Sequence, residues 1–227
     1  MRSRNILLLL SIFPLYSALF GYETSVGVRV GYHQYKMTDF RKITETAVQQ
    51  YTSHGIAVKE FGRFPPYFAY YIDYTYYGQN SNIGLVAGFS STGSTIHYAD
   101  YSGQLRDTYR LSRYQIGFLG ENKLYVNTRF QILSTIELSA SRTNFLNEYY
   151  LEIFGQDQKV NYSMKKWGCN IEPSICIRFT TPLYLFSAGI GYELDIFQQS
   201  YGQDKNGNNL YASWQGIITY LSLRYKL

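Results

Sequence analysis

The sequence predicts an all-β fold: an eight-stranded antiparallel up-and-down transmembrane β-barrel with apolar side chains toward lipid and polar ones enclosed. Three observations point there: one very long alternating stretch, a heavy aromatic load, and a regular alternation of short and long connections. The stretch is Leu124 to Ser141, LYVNTRFQILSTIELSAS. One register holds Leu124, Val126, Phe130, Ile132, Ile136, Leu138 and Ala140, interrupted by Thr128 and Ser134. The other holds Tyr125, Asn127, Arg129, Gln131, Thr135, Glu137 and Ser139, with Leu133 the single aliphatic. Successive side chains of a strand point to opposite faces, so one face is greasy and the other polar and charged. Soluble half-buried strands usually alternate over about five or six residues, and a strand crossing a tilted bilayer needs about 9–11. Read as one strand, this stretch crosses a bilayer and projects beyond it.

The chain has 227 residues, which fits a single barrel domain. Its 25 Tyr and 14 Phe suit the interfacial girdles of a membrane barrel better than a soluble core, which favours aliphatics. The mean hydropathy of -0.24 is compatible, because half the positions of each strand face a polar interior. The net charge of +5 includes Arg2 and Arg4 of the amino-terminal segment, and the remainder is too mild to argue for nucleic acid. Cys169 and Cys176 fall on one predicted strand at odd spacing. They therefore sit on opposite faces, roughly 23 Å apart, beyond the reach of a disulfide.

At the amino terminus, Arg2 and Arg4 precede an apolar run from Ile6 to Phe20 that ends among Ser17, Ala18 and Gly21. This basic, apolar, small order is that of a Sec signal peptide, expected over 1–20, with the barrel over 21–227. The run is short for a spanning helix. Exported chains with amphipathic strands and no further helical span belong in the outer membrane of a diderm bacterium.

Strand one, Ser25 to Tyr35, places Val26, Val28, Val30 and Tyr32 outward and Arg29 and His33 inward. In the connection from Lys36 to Pro65, Phe40, Ile43, Ala47 and Tyr51 recur at helical spacing, and Gly55 is placed to end a helix. Such a helix would cap the barrel mouth, lie on the outer leaflet, or pack on its own loop. Strand two, Tyr67 to Tyr77, is aromatic outside, with Asp73 inside; strand three, Ile83 to Thr92, turns Leu85, Ala87 and Phe89 outward. After a polar connection from Gly93 to Gly103, strand four turns Tyr114, Ile116 and Phe118 outward and Arg113 and Gln115 inward. Gly120 to Lys123 reads as a tight turn into the long strand five. Arg142 to Tyr162 is a long connection or strands rising above the membrane. In strand six, Trp167 to Phe179, Glu172 and Arg178 face in, and Pro173 calls for a bulge because a closed barrel has no free edge. Strand seven starts at Tyr184 and turns Glu193 and Asp195 inward, while Gly189 and Gly191 make room for bulky lumen neighbours. A polar loop, Gln198 to Asn209, leads to strand eight, with Ile217, Leu221, Leu223, Tyr225 and Leu227 outward and Tyr220 and Arg224 inward.

Connections after strands two, four and six are short, and those after one, three, five and seven are long. Short periplasmic turns, long outside loops and an even strand count are the habit of outer-membrane barrels. The chain resembles the eight-stranded outer-membrane proteins of the OmpA transmembrane-domain and OmpX type, over everything after the signal segment. The resemblance implies a carboxy-terminal assembly signal, matched here by the alternation of Leu221, Leu223, Tyr225 and Leu227. The final residue is Leu where the pattern has an aromatic. It also implies contact with outer-membrane lipid and lipopolysaccharide, with the barrel-assembly machinery and with a surface ligand, and it fixes no common activity or cofactor.

An eight-stranded barrel is just wide enough for side chains to fill it. The expected lumen charges are Arg29, Arg113, Arg129, Arg178 and Arg224 against Asp73, Glu137, Glu172, Glu193 and Asp195. Buried charges are costly unless paired, so this balance predicts an ion-paired, plugged lumen. Arg129→Ala should then cost on the order of 3–5 kcal/mol. Enzymatic alternatives need a nucleophile beside a base. His33 is the one lumen-facing histidine, Glu137, Glu193 and Asp195 are carboxylates at its end of the barrel, and Ser139 is the nearest nucleophile by level. The preferred expectation is a structural or surface-interaction barrel, with a small-molecule conduit second and lipid A modification third.

Overall fold

The computed structural model describes residues 23–101, 103–203 and 209–227. The expected signal segment lies outside the described residues. Eight strands close into a ring: β1 (Thr24–Tyr35), β3 (Tyr67–Tyr77), β4 (Ser81–Asp100), β5 (Gly103–Val126), β6 (Phe130–Ile153), β7 (Gln156–Thr180), β8 (Tyr184–Gln198) and β9 (Gly216–Lys226). Each pairs antiparallel with the next, and β1 closes on β9 from Ser25↔Lys226 to Tyr35↔Gly216. Outside the ring lie α1 (Thr38–Ser53) and the short β2 (Lys59–Phe61), which pairs with β4.

Alternation places the side chains as expected. Val28, Ile72, Ile116, Leu138, Ile175, Ile190 and Leu221 face outward, and Arg29, Asp73, Arg113, Glu137, Glu172, Glu193 and Arg224 are buried inside. Exposed aromatics gather at two levels. Tyr76, Tyr125, Phe179, Tyr184 and Tyr225 ring the end with the short turns, and Tyr32, Phe68, Phe89, Tyr114 and Trp167 ring the other. An outward apolar band between two aromatic girdles is the surface of a barrel in lipid, and the end carrying the short turns is the periplasmic one.

Strand five of the sequence reading is two strands. The chain reverses at Asn127–Arg129, where the Asn127 amide donates to the Phe130 carbonyl at 2.9 Å and the Asn127 side chain accepts from the Thr128 hydroxyl at 2.9 Å. A register shift between Lys123 and Tyr125 turns Tyr125 outward opposite Ile132. The turn that follows restores the even-numbered outward register in β6, so the two offsets cancel and the alternation looks continuous. Arg129 is therefore an exposed turn residue at the periplasmic end and no part of the lumen. The expected turn at Gly120–Lys123 is instead the lower part of β5, and it buries Glu121.

The connection expected around Gly93–Gly103 is strand as well, and of the two readings of Arg142–Tyr162 the strands rising above the membrane are the ones observed. The β4–β5 and β6–β7 hairpins run on past the outer girdle to tips at Tyr101 and Phe154–Gly155. Pro173 needs no bulge of its own. The β7–β8 ladder holds one register from Ile171↔Leu194 to Ser174↔Gly191 and passes over Pro173, and its register shift lies at Cys169/Asn170. Gly189 behaves as expected, since a Cβ there would stand 2.5 Å from the Tyr220 ring and 2.8 Å from the Cys176 Cβ.

Candidate functional site

Inward positions along β1 order the lumen from the periplasmic end upward. Beside Gly27, Arg224 meets the Asp73 carboxylate at 2.6 Å and the Glu121 carboxylate at 2.7 Å. Glu121 also accepts from Arg178 at 2.6 Å and from Asn82 at 2.9 Å. Next comes Arg29, which bonds Glu137 at 2.5 Å, approaches Glu172 at 3.8 Å, and lies between the rings of Tyr71 and Tyr220 at 4.1 and 5.2 Å. Gln115 donates to the free oxygen of Glu137 at 3.0 Å. Above these is His33, with Nδ1 3.7 Å from Glu193 and Nε2 3.0 Å from the Tyr71 hydroxyl. Arg113 forks onto both oxygens of Glu193 and donates to Ser90. Asp195 is half-buried at the top, where it accepts from Asn170 at 2.6 Å and Ser213 at 3.3 Å.

Nine of the ten expected lumen charges are therefore brought together, Arg129 is not, and Glu121 was missed. Fork-shaped guanidinium–carboxylate bonds and the aromatic faces around them supply what buried charge requires. Below Arg178 the lumen opens to the periplasm as a cavity of about 420 Å³, lined by Tyr77, Lys123, Gln131, Arg178, Thr180 and Lys226 among others.

The outer mouth is closed by an apolar cap. α1 lays Phe40 across it, against Phe145 at 5.1 Å, Tyr201 at 5.5 Å and Phe64 at 5.8 Å between ring centres. Met37, Ile96, Leu111 and Trp214 complete the cluster. Trp214 joins cap to lumen: its ring lies 4.6 Å from the Arg113 guanidinium, and its Nε1 donates to Thr143 at 3.0 Å. The helix is thus a cap and not a leaflet-bound segment. Polar ties hold it down, with the Tyr211 amide donating to Asp39 at 3.0 Å and Arg41 donating to the Phe64 carbonyl at 3.2 Å. Higher up, Asp107 accepts from Tyr109 at 2.7 Å, Tyr51 at 3.2 Å and Asn147 at 2.6 Å. Burial, and then the Asp107 charge, push both phenols well above their usual range.

Beyond the cap, β2, β4, β5, β6 and β7 form a sheet standing clear of the outer girdle. β8 reaches β7 only between Gly168 and Thr180, so among the described residues Gln156–Lys166 is laddered on the β6 side alone. At the tip, Phe154 is 82 % exposed with φ 49, and at the neighbouring tip Tyr101 is 98 % exposed. Leu221, Leu223, Tyr225 and Leu227 are exposed along the outer face of β9 and at its end.

The belt, the enclosed ion pairs and the closed ring define an integral outer-membrane β-barrel. Among solved structures the chain is similar to Ail, the attachment invasion locus protein of Yersinia pestis (12% identity, 91% of this chain and 99% of that one, TM-score 0.42). It is also similar to Neisserial surface protein A (12%, 91% and 96%, TM-score 0.40) and to the outer membrane protein OprG from Pseudomonas aeruginosa (8%, 91% and 96%, TM-score 0.39). No family model and no curated protein sequence matches the chain.

Proposed function

We propose that the protein is a closed membrane anchor that displays a docking surface for an extended protein segment outside the cell. The observation that carries this reading is the edge of β7 over Gln156–Lys166, whose backbone donors and acceptors on the side away from β6 pair with no strand among the described residues and can take an added one. Lys159, Lys165 and Lys166 along that edge discourage pairing between copies of the barrel, as charged edge residues do. Phe154 supports the reading: a bulky exposed aromatic in the left-handed region is disfavoured locally, so its place at the tip suits contact better than stability.

The conduit reading has less support, because the cap and the arginine forks fill the bore. The enzyme reading has less again: His33 meets Glu193, but Tyr71 rather than Ser139 stands at its other nitrogen, and all three groups lie beneath the cap. Contact with the barrel-assembly machinery through the outer face of β9 belongs to the same proposal.

The test replaces 147–162 with a two-residue Asn-Gly turn, which joins the register partners Leu146 and Ser163, and compares attachment of expressing cells to immobilised host-surface protein. Attachment should be lost while surface amount and the heat-modifiable gel shift are retained; unchanged attachment would overturn the reading. In planar bilayers the parent should carry no steady unitary current, and a sustained current would favour the conduit.

A further inference from the structure

We infer that the outward face of β5, β6 and β7 just above the outer girdle is a binding site for a phosphorylated glycolipid of the outer leaflet, held by Arg110, Arg142 and Lys165. The inference rests on the outer-membrane placement and is independent of strand docking at the β7 edge.

Register brings the three cations together. Arg142 is paired between Tyr114 on β5 and Trp167 on β7, with its guanidinium 5.5 Å from the Trp167 ring centre, which sets it at the girdle. Lys165 faces the same way one row higher, opposite Asn144, and Arg110 one row above that, opposite Leu146. All three are exposed. The Cα atoms of Arg142 and Lys165 are diagonal neighbours about 8 Å apart, and Arg110 stands roughly 12 Å from Lys165. Long side chains at these separations can converge on phosphate from two sides.

Three features of the patch point to a lipid. From Ile116, Leu138 and Ile171 up to Arg110, Leu146 and Ser163, the outward positions of these strands carry no carboxylate; the first above them is Glu148. Tyr114 and Trp167 flank Arg142 in its own row, and Ile116, Phe118 and Leu138 lie directly below, an apolar wall for acyl chains under a charged headgroup. Around the rest of the rim Phe68, Phe89, Ser91, Phe197 and Ile217 are uncharged and Lys36 above β1 stands as a single exposed cation, so the cluster of three lies on the β5–β7 side. Charge at headgroup level with acyl-chain contact beneath matches a phosphorylated lipid and not a soluble anion.

The experiment is native mass spectrometry of the folded barrel in an uncharged sugar detergent, titrated with bis-phosphorylated lipid A, chemically dephosphorylated lipid A or inorganic phosphate. The parent should retain the phosphorylated lipid at least tenfold more strongly than the dephosphorylated one, and inorganic phosphate should not displace it. Arg110→Gln/Arg142→Gln/Lys165→Gln should lose that preference, whereas Lys159→Gln, higher on β7, should keep it. Equal retention of the two lipids by the parent would overturn the inference, as would displacement by phosphate or an unchanged preference in the triple variant. The comparison on the parent decides even if the triple variant fails to fold.

Discussion

Glu121→Gln is the most informative single change in the lumen. In the parent one carboxylate, 2 % exposed, accepts from Arg178, Arg224 and Asn82. The substitution keeps size and an acceptor but removes the charge, leaving Asp73 as the one carboxylate bonded to either arginine among the described residues. Breaking a buried charge pair from one side costs on the order of 3–5 kcal/mol, because the stranded charge has no water to return to. With a urea slope on the order of 2 kcal/mol per molar, the unfolding midpoint should fall by about 2 M. The assay is urea titration of the barrel in lipid vesicles, read by the heat-modifiable gel shift. Arg129→Ala is the matched control: as an exposed turn residue it should move stability by less than about 0.5 kcal/mol. A midpoint for Glu121→Gln within 0.5 M of the parent, or a large loss in Arg129→Ala, would refute the placement of charge inside this barrel.

Other perturbations probe the cap and the tips. Phe40→Ala should destabilise the cap by roughly 3–5 kcal/mol and expose α1 to limited proteolysis while the gel shift of the barrel persists. Gly189→Val should cost about 1–3 kcal/mol in the same urea assay, since its side chain must displace the Tyr220 ring. Phe154→Asn, better suited to positive φ, should raise stability by about 0.5–1 kcal/mol while weakening surface attachment. The raised phenols of Tyr51 and Tyr109 favour the folded state below about pH 10, where unfolded tyrosine is still protonated, and that contribution falls as pH climbs further. The stability gap between parent and Tyr109→Phe should be constant to pH 10 and narrow above it, and a gap that widens there would reverse the assignment.

Period-two alternation is a local property that survives in any membrane strand, so the facing of nearly every spanning residue was legible. The helix at Thr38–Ser53 was legible too, because Phe40, Ile43, Ala47 and Tyr51 hold a helical period. What escaped was whatever depends on parity alone. The register shift between Lys123 and Tyr125 and the turn at Asn127–Arg129 cancel and leave the pattern in phase, and Asn127 was the single residue of that turn with turn chemistry. Glu121 was misplaced for the converse reason: Gly-Glu-Asn-Lys has turn composition, and only arginines distant in sequence, Arg178 and Arg224, make a buried carboxylate tenable. The outer sheet was half-legible, since its strands lose the greasy register once they leave the bilayer. Trp214 gave no signal, because its role depends on Phe40 and Arg113, neither a neighbour in sequence.

The seam between β1 and β9 has a consequence for biogenesis. Among the eight strands of the ring Thr24–Tyr35 is synthesised first, yet one of its two flanking strands, Gly216–Lys226, is the last of them. Until then the cylinder has two raw margins, and contacts of such long sequence separation form slowly. The polypeptide must therefore travel through the periplasm unclosed, vulnerable to aggregation on the way. Deleting Gly216–Lys226 would condemn it to remain so.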